Sequence, residues 1–174
     1  MKKRALGVIF LSTAFLAGCH MEDKNTQAQS CGGGIASPVS MSDEQQAKVS
    51  VLNYVFDNNA SAFQKNVSAF CVRDSSVASS VADNSNELAR LMKQTNPKVQ
   101  SYTACQSNKD SSISFSGQRA IAFTIDQVSR VSDSEYLVRA GYYEGNLSSQ
   151  TNQYVAKKNG KDWTVTLKEM GPVS

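Results

Sequence analysis

The chain has 174 residues, with 18 Lys and Arg against 15 Asp and Glu, four cysteines and one histidine. Lys2, Lys3 and Arg4 supply the whole positive excess, so the rest is formally neutral and has no net field to draw in nucleic acid. The lone histidine, His20, excludes a Ser–His or Cys–His catalytic pair in the remainder of the chain.

Behind the basic start runs an apolar stretch from Ala5 to Ala17. It falls short of the roughly 20 residues that span a bilayer. A short apolar core after a positive start is the pattern of a secretory signal. The stretch ends in Leu16-Ala17-Gly18-Cys19. This segment resembles the signal and lipobox of bacterial lipoproteins. The resemblance implies that residues 1–18 are a signal peptide and that Cys19 becomes the acylated N-terminus, held by membrane lipid. His20, not Asp, follows the cysteine, which by the same resemblance implies the outer membrane, with the domain facing the periplasm. No later apolar stretch is long enough to cross a membrane.

Residues 19–40 read as a flexible tether, polar at first and then holding Cys31-Gly32-Gly33-Gly34 and Pro38 without an apolar period. The Cys31-Gly-Gly-Gly run lacks the lysine and the strand–helix context of a phosphate loop. Residues 41–174 then form one domain. Beyond Cys19, the three cysteines Cys31, Cys71 and Cys105 allow three pairings in an oxidising compartment. Cys71–Cys105 is favoured because both lie in the patterned domain, which leaves Cys31 free or paired between molecules. There is no Cys-x-x-Cys or Cys/His cluster, so no metal site and no cofactor are expected.

The domain opens with a helix. Ser42 and Gln45 have the spacing of a capping box, and Val49, Leu52, Phe56 and Ala60 recur at helical spacing with Val55 beside them. Asp57-Asn58-Asn59 closes it. Phe63, Val67 and Phe70 fit a second short helix, while Val67 to Val72 fits a strand equally well. Ser75 to Ser85 reads as a loop with a partly helical middle. Asn84 with Glu87 suits another helix start, Leu88, Leu91 and Met92 give its apolar face, and Asn96-Pro97 ends it. Val99 to Cys105 reads as a strand, and Gln106 to Gly117 as a polar loop.

From there the pattern is β. Ile121, Phe123 and Ile125 alternate with polar or small neighbours. Ser132-Asp133-Ser134 makes a turn, and Tyr136, Val138, Ala140 and Tyr142 alternate after it. A third strand covers Gln153 to Lys158. Asn159-Gly160 predicts a type I′ hairpin. Trp163, Val165 and Leu167 form the last inward face, and Gly171-Pro172 ends the pattern. The expected fold is α+β, with N-terminal helices packed on one face of an antiparallel sheet of about four strands. This order, over residues 42–170, resembles the cystatin-like and NTF2-like class, in which a curved sheet wraps a helix.

No catalytic set emerges. Asp126, Glu135, Glu144 and Glu169 lie on or near strands but read as solvent-facing acids, and no spacing marks a Ser–Lys dyad. Tyr142 and Tyr143 are adjacent in a strand and must face opposite sides. The open sheet face near Arg139, Tyr143 and Glu144 is therefore the candidate binding surface. The expected function is a non-enzymatic, lipid-anchored binding module for an envelope protein partner, as an inhibitor, an immunity factor or an assembly accessory. The alternative is a small-ligand or enzymatic cavity between helix and sheet.

Overall fold

Ser42 starts the first helix through both halves of its capping box. Its hydroxyl accepts from the Gln45 amide at 3.2 Å, and the Gln45 side chain accepts from the Ser42 amide at 2.8 Å. Helix α1 covers Asp43–Asn58, with Asp43 and Glu44 in the first turn, where the helix dipole favours negative charge. The computed structural model describes residues 40–59, 64–78, 80–145 and 148–173. The expectations for the signal, Cys19, His20, Cys31 and most of the tether, and those for Ala60 and Phe63, lie outside these residues.

After α1 come strand β1 (Ala69–Asp74), helix α2 (Val81–Met92) and strand β2 (Val99–Ser101). Then follow the short strands β3 (Gln106–Ser107) and β4 (Ile113–Phe115). The long strands are β5 (Gln118–Ser132), β6 (Glu135–Tyr143), β7 (Ser149–Asn159) and β8 (Asp162–Glu169). They form one eight-stranded sheet in the order β2-β1-β5-β6-β7-β8, with β4 pairing β5 and β3 pairing β4. The α+β class holds. The sheet is larger than four strands and is mixed, because β1 runs parallel to both β2 and β5. One helix also falls between strands: α2 is the crossover that a parallel β1–β2 pair requires.

Burial explains β1. Phe70 and Val72 point into the main core, while Ala69 and Cys71 point into a second, smaller cluster on the other face. A strand buried on both faces has an unbroken apolar run and not an alternation. This is why Val67 to Val72 suited helix or strand alike. Helix α2 begins at a Ser80 cap, whose hydroxyl accepts from the Asp83 amide at 3.3 Å, earlier than the Asn84 signal suggests. Ser85 inside that helix bonds back to the Val81 carbonyl and accepts from the Asp74 amide, so its hydroxyl is satisfied without a cap role.

The expected strand Val99 to Cys105 is cut short. Ser101 caps a 3₁₀ turn over Tyr102–Ala104, which swings Cys105 towards Cys71. The two are joined in a disulfide with Cα atoms 6.3 Å apart. The polar loop after Cys105 contains β3 and β4, too short to show a period. Ser116 and Gly117, both at positive φ, make the two-residue turn from β4 to β5. That is the type I′ geometry. The β7–β8 hairpin expected to use it differs. Asn159 pairs Asp162, so Gly160 and Lys161 are the central residues, and Gly160 alone has positive φ (66°). This is the II′ pattern, with glycine at the first central position.

The main core lies between both helices and one face of the sheet. Phe56 of α1 meets Phe123 of β5 edge-on at 4.5 Å and Phe70 of β1 at 4.9 Å. Val51, Leu52, Val72, Ile125, Val138 and Met92 are fully buried around them. Trp163 donates to the Gln46 side chain at 3.1 Å, and Lys158 pairs with Asp43, pinning α1 across the last hairpin. Trp163 and Val165 pack against the core as expected, whereas Leu167 is 41% exposed.

Candidate binding surface

The three residues singled out from the sequence do not share one surface. Arg139 is exposed on the sheet face opposite the helices. Tyr143, four residues on, is half-buried beside the disulfide cluster, and its hydroxyl donates to the Ser111 carbonyl at 2.8 Å. Glu144 is only 2% exposed. Its carboxylate accepts from the Asn59 side chain and the Ser148 hydroxyl, both at 3.4 Å, tying the end of α1 to the chain beyond β6. Its role in the fold is that of a tie, and the expectation of an exposed acid beside Arg139 is corrected accordingly.

Around Arg139 the register builds a row. Gln127, Arg139, Gln153 and Glu169 stand opposite one another on β5, β6, β7 and β8. Residues in register share a face. The next row holds Ser129, Leu137, Val155 and Thr166, with Leu137 and Val155 half-buried. The row on the other side includes Gly141 opposite Thr151. A side chain at Gly141 would meet the Gln150 carbonyl oxygen at 2.2 Å, so only glycine fits. The C-terminal segment then crosses the start of β7: the Gly171 amide donates to Asn152 at 2.9 Å, and Gln150 donates to the Gly171 carbonyl at 3.2 Å. Arg139, Gln153, Glu169 and Pro172 thereby border a cavity of about 190 Å³.

Tyr143 and Glu144 belong to a different place. At the end of the sheet where β4 and β6 meet along β5 lies an open polar cleft of about 690 Å³. Asn108, Asp110, Ser112, Ser114, Arg119 and Glu144 line it. The turn before β4 is held by Asp110, which accepts from the Ser112 hydroxyl at 2.7 Å and from its amide at 3.1 Å. The Ser112 hydroxyl, then its amide, hold the Asp110 carboxyl below the usual carboxylate range. Arg119 donates to the Glu144 carbonyl at 3.5 Å. No sequence pattern marks this cleft, because β3 and β4 are too short for periodicity; the local signal is Ser116-Gly117.

A buried charge is the other feature hidden from sequence. Lys48 of α1 and Asp74 of β1 are 5% and 4% exposed and pair at 3.0 Å, with Glu44 2.8 Å from the same ammonium. Burial works to lower the Lys48 pKa, but the hydrogen bonds to Glu44 and Asp74 and their charges outweigh it, and the net shift is upward. Lys48 lies one turn from Leu52, within the apolar stripe, which was the available clue. Asp74 also accepts from the Ser76 amide at 3.0 Å, so its remaining oxygen is satisfied.

Among the described residues, no group of three or more His, Cys, Asp or Glu side chains converges as a metal site. No helix of the described residues is long and apolar enough to cross a membrane. No protein-family model, curated protein or solved structure matches this chain.

Proposed function

We propose that the chain is a lipid-anchored protein of the bacterial cell envelope whose domain binds a protein partner through the open face of the sheet. The observation that supports this reading is the contrast between the two faces. One carries α1, α2 and the main core. The other, over β5 to β8, presents the Gln127–Arg139–Gln153–Glu169 row beside half-buried Leu137 and Val155. An arginine among amides, with apolar side chains alongside, is the composition of a protein contact surface. Acylated Cys19, placed by the lipobox resemblance in the outer membrane, would hold this face in the periplasm.

The test is crosslinking in cells with full-length chain, followed by purification. A single partner should be recovered at stoichiometric yield, and Arg139→Glu with Gln153→Ala should lose it while the domain melts unchanged. Undiminished recovery by that variant removes this face from consideration. In the same cells, Cys19→Ala should move the protein from the membrane to the soluble fraction; retention in the membrane overturns the anchor.

A second reading is favoured by a specific feature, a pocket of about 240 Å³ between the end of α1 and the sheet, lined by Tyr54, Tyr142, Tyr154, Leu167 and Met170. It sits where the cystatin-like and NTF2-like resemblance would put a ligand. Its volume is below the roughly 300–1,000 Å³ of most ligand sites, which ranks it second. Thermal shifts with lipids, glycans and peptidoglycan fragments distinguish the two readings: a Tyr54→Ala-sensitive shift favours the pocket.

A further inference from the structure

The main run of the sheet, β2-β1-β5-β6-β7-β8, has two ends, and they differ. At one end is β2, three residues long. At the other is β8, eight residues of Asp-Trp-Thr-Val-Thr-Leu-Lys-Glu, without proline. No described strand pairs with its outer side. A long, regular edge of this kind is a template for another strand. The only irregularity is a bulge at its end: Tyr154 pairs Leu167 and Gln153 pairs Glu169, leaving Lys168 as the extra residue.

The backbone polarity of the edge follows from the hairpin. In a two-residue hairpin the flanking pair, here Asn159 and Asp162, exchanges hydrogen bonds, and the pattern alternates from there. Asp162, Thr164 and Thr166 therefore bond to β7. Trp163, Val165 and Leu167 turn their amides and carbonyls outward.

We propose that β8 pairs antiparallel with β8 of a second copy of this chain, about a two-fold axis at Val165, joining the two sheets into one. The axis places Val165 opposite Val165, an outward-facing residue opposite its own copy, so each donates to and accepts from the other. Trp163 then stands opposite Leu167 of the second copy, again with both amides outward. Thr164 stands opposite Thr166. Asp162 stands opposite Lys168, the bulge residue. Every cross-strand pair is matched in character, and the charged pair is of opposite sign. Moving the axis to Thr164 sets Asp162 against Thr166 and Lys161 against Leu167. Moving it to Thr166 sets Trp163 against Glu169 and Lys168 against Thr164. Only the Val165 axis pairs Asp162 with Lys168. Symmetric self-complementarity is what a two-fold interface demands.

The apolar surface agrees. Leu167 is 41% exposed and Met170 66% exposed, both on or just beyond this edge. Pairing would set Leu167 against the indole of the second copy, on the helix-bearing face where Trp163 already packs.

The test uses the full chain purified in detergent, with Cys31→Ser so that the tether cannot link two copies. Sedimentation should show a reversible dimer. Val165→Cys should form a disulfide dimer under mild oxidation, since the axis holds the two Cα atoms about 5.5 Å apart. Thr164→Cys and Thr166→Cys should crosslink when mixed and not when oxidised separately, which reports the register. Val165→Pro removes an outward amide and spares the β7 ladder; it should abolish the dimer while the domain still unfolds in one cooperative transition, at a lower temperature because Val165 packs against the core. Lys168→Asp should weaken dimerisation about tenfold by placing acids opposite each other, and Asp162→Lys in the same chain should restore it. A monomer at all concentrations overturns the proposal, as does a dimer that survives Val165→Pro or crosslinks equally from Thr164→Cys alone.

Discussion

β1 and β8 belong to the same sheet, yet their surroundings are opposite. Five of the six residues of β1 are buried, with helices on one face and the disulfide cluster on the other. No residue of β8 is fully buried. Between them the sheet passes from a covered region, β2-β1-β5, to a one-sided region, β6-β7-β8. The covered end is where the protein concentrates a disulfide, a buried ion pair and helix α2, while α1 reaches from there across the one-sided strands. The one-sided end is regular, polar on one face and available. Rigidity and exposure are thus separated along the sheet, which is how a domain can offer a defined surface without risking its core.

The comparison can be broken first at its covered end. Cys71–Cys105 closes a loop of 34 residues in sequence separation. In the chain-entropy view such a closure is worth about 3–4 kcal/mol. Cys71→Ala with Cys105→Ala should cost that much, read from denaturant midpoints, and the loss should be independent of whether Arg139 is mutated. A cost below about 1 kcal/mol would mean that the second cluster holds β1 without the bridge.

Asp74→Asn should follow closely, at about 3 kcal/mol, because it leaves the Lys48 ammonium buried against a neutral amide. Glu44, half-exposed, keeps the cost from being larger. Replacing both partners, Lys48→Met with Asp74→Leu, should recover most of the loss. The pH dependence has a definite sign. The Lys48 pKa is raised above its usual 10.5 in the folded state. Its contribution is therefore fully present below the unfolded value, throughout the neutral range, and is lost as pH rises through the folded value. Melting temperature against pH should fall more steeply in strong alkali for the natural chain than for the double variant.

A smaller effect tests the junction of the two regions. Ser42→Ala removes the hydroxyl half of the α1 capping box, and α1 touches both the covered strands and the last hairpin. The expected cost is about 1 kcal/mol by urea titration.

The same contrast decides what could be seen in the sequence. The one-sided strands were legible because one-sided burial writes a period of two: Tyr136, Val138 and Ala140 all face the core; on β5, Ile121, Phe123 and Ile125 stood out because Ala122 and Thr124 between them are small or polar. Helix α1 was legible through Ser42 and Gln45. The covered end was not. β1 has apolar residues at both parities, so period cannot identify it, and its parallel direction depends on α2 returning beside it. β3 and β4 are two and three residues long. Lys48 has no local mark of burial beyond its place in the apolar stripe, because its partner, Asp74, is 26 residues away. Of the candidate surface, Arg139 could be placed by alternation. Glu144 could not, since it lies just past the end of β6, where alternation no longer applies, and its burial comes from Asn59 and Ser148.

The smallest stability effect belongs to the open face, and it sharpens the comparison most. Arg139 is exposed and Gln153 half-buried, and both stand on strands already held by neighbours on each side. Arg139→Ala and Gln153→Ala should each change stability by no more than about 0.5 kcal/mol, as for other surface positions. Gly141→Ala, one row away, should behave quite differently, because its added carbon would strike the β7 backbone at Gln150. The open face therefore has a rigid floor beneath exchangeable side chains. A denaturation series across these three positions measures that division directly. If Arg139→Ala proved as costly as Gly141→Ala, the row would be holding the sheet together and would no longer be free to recognise a partner.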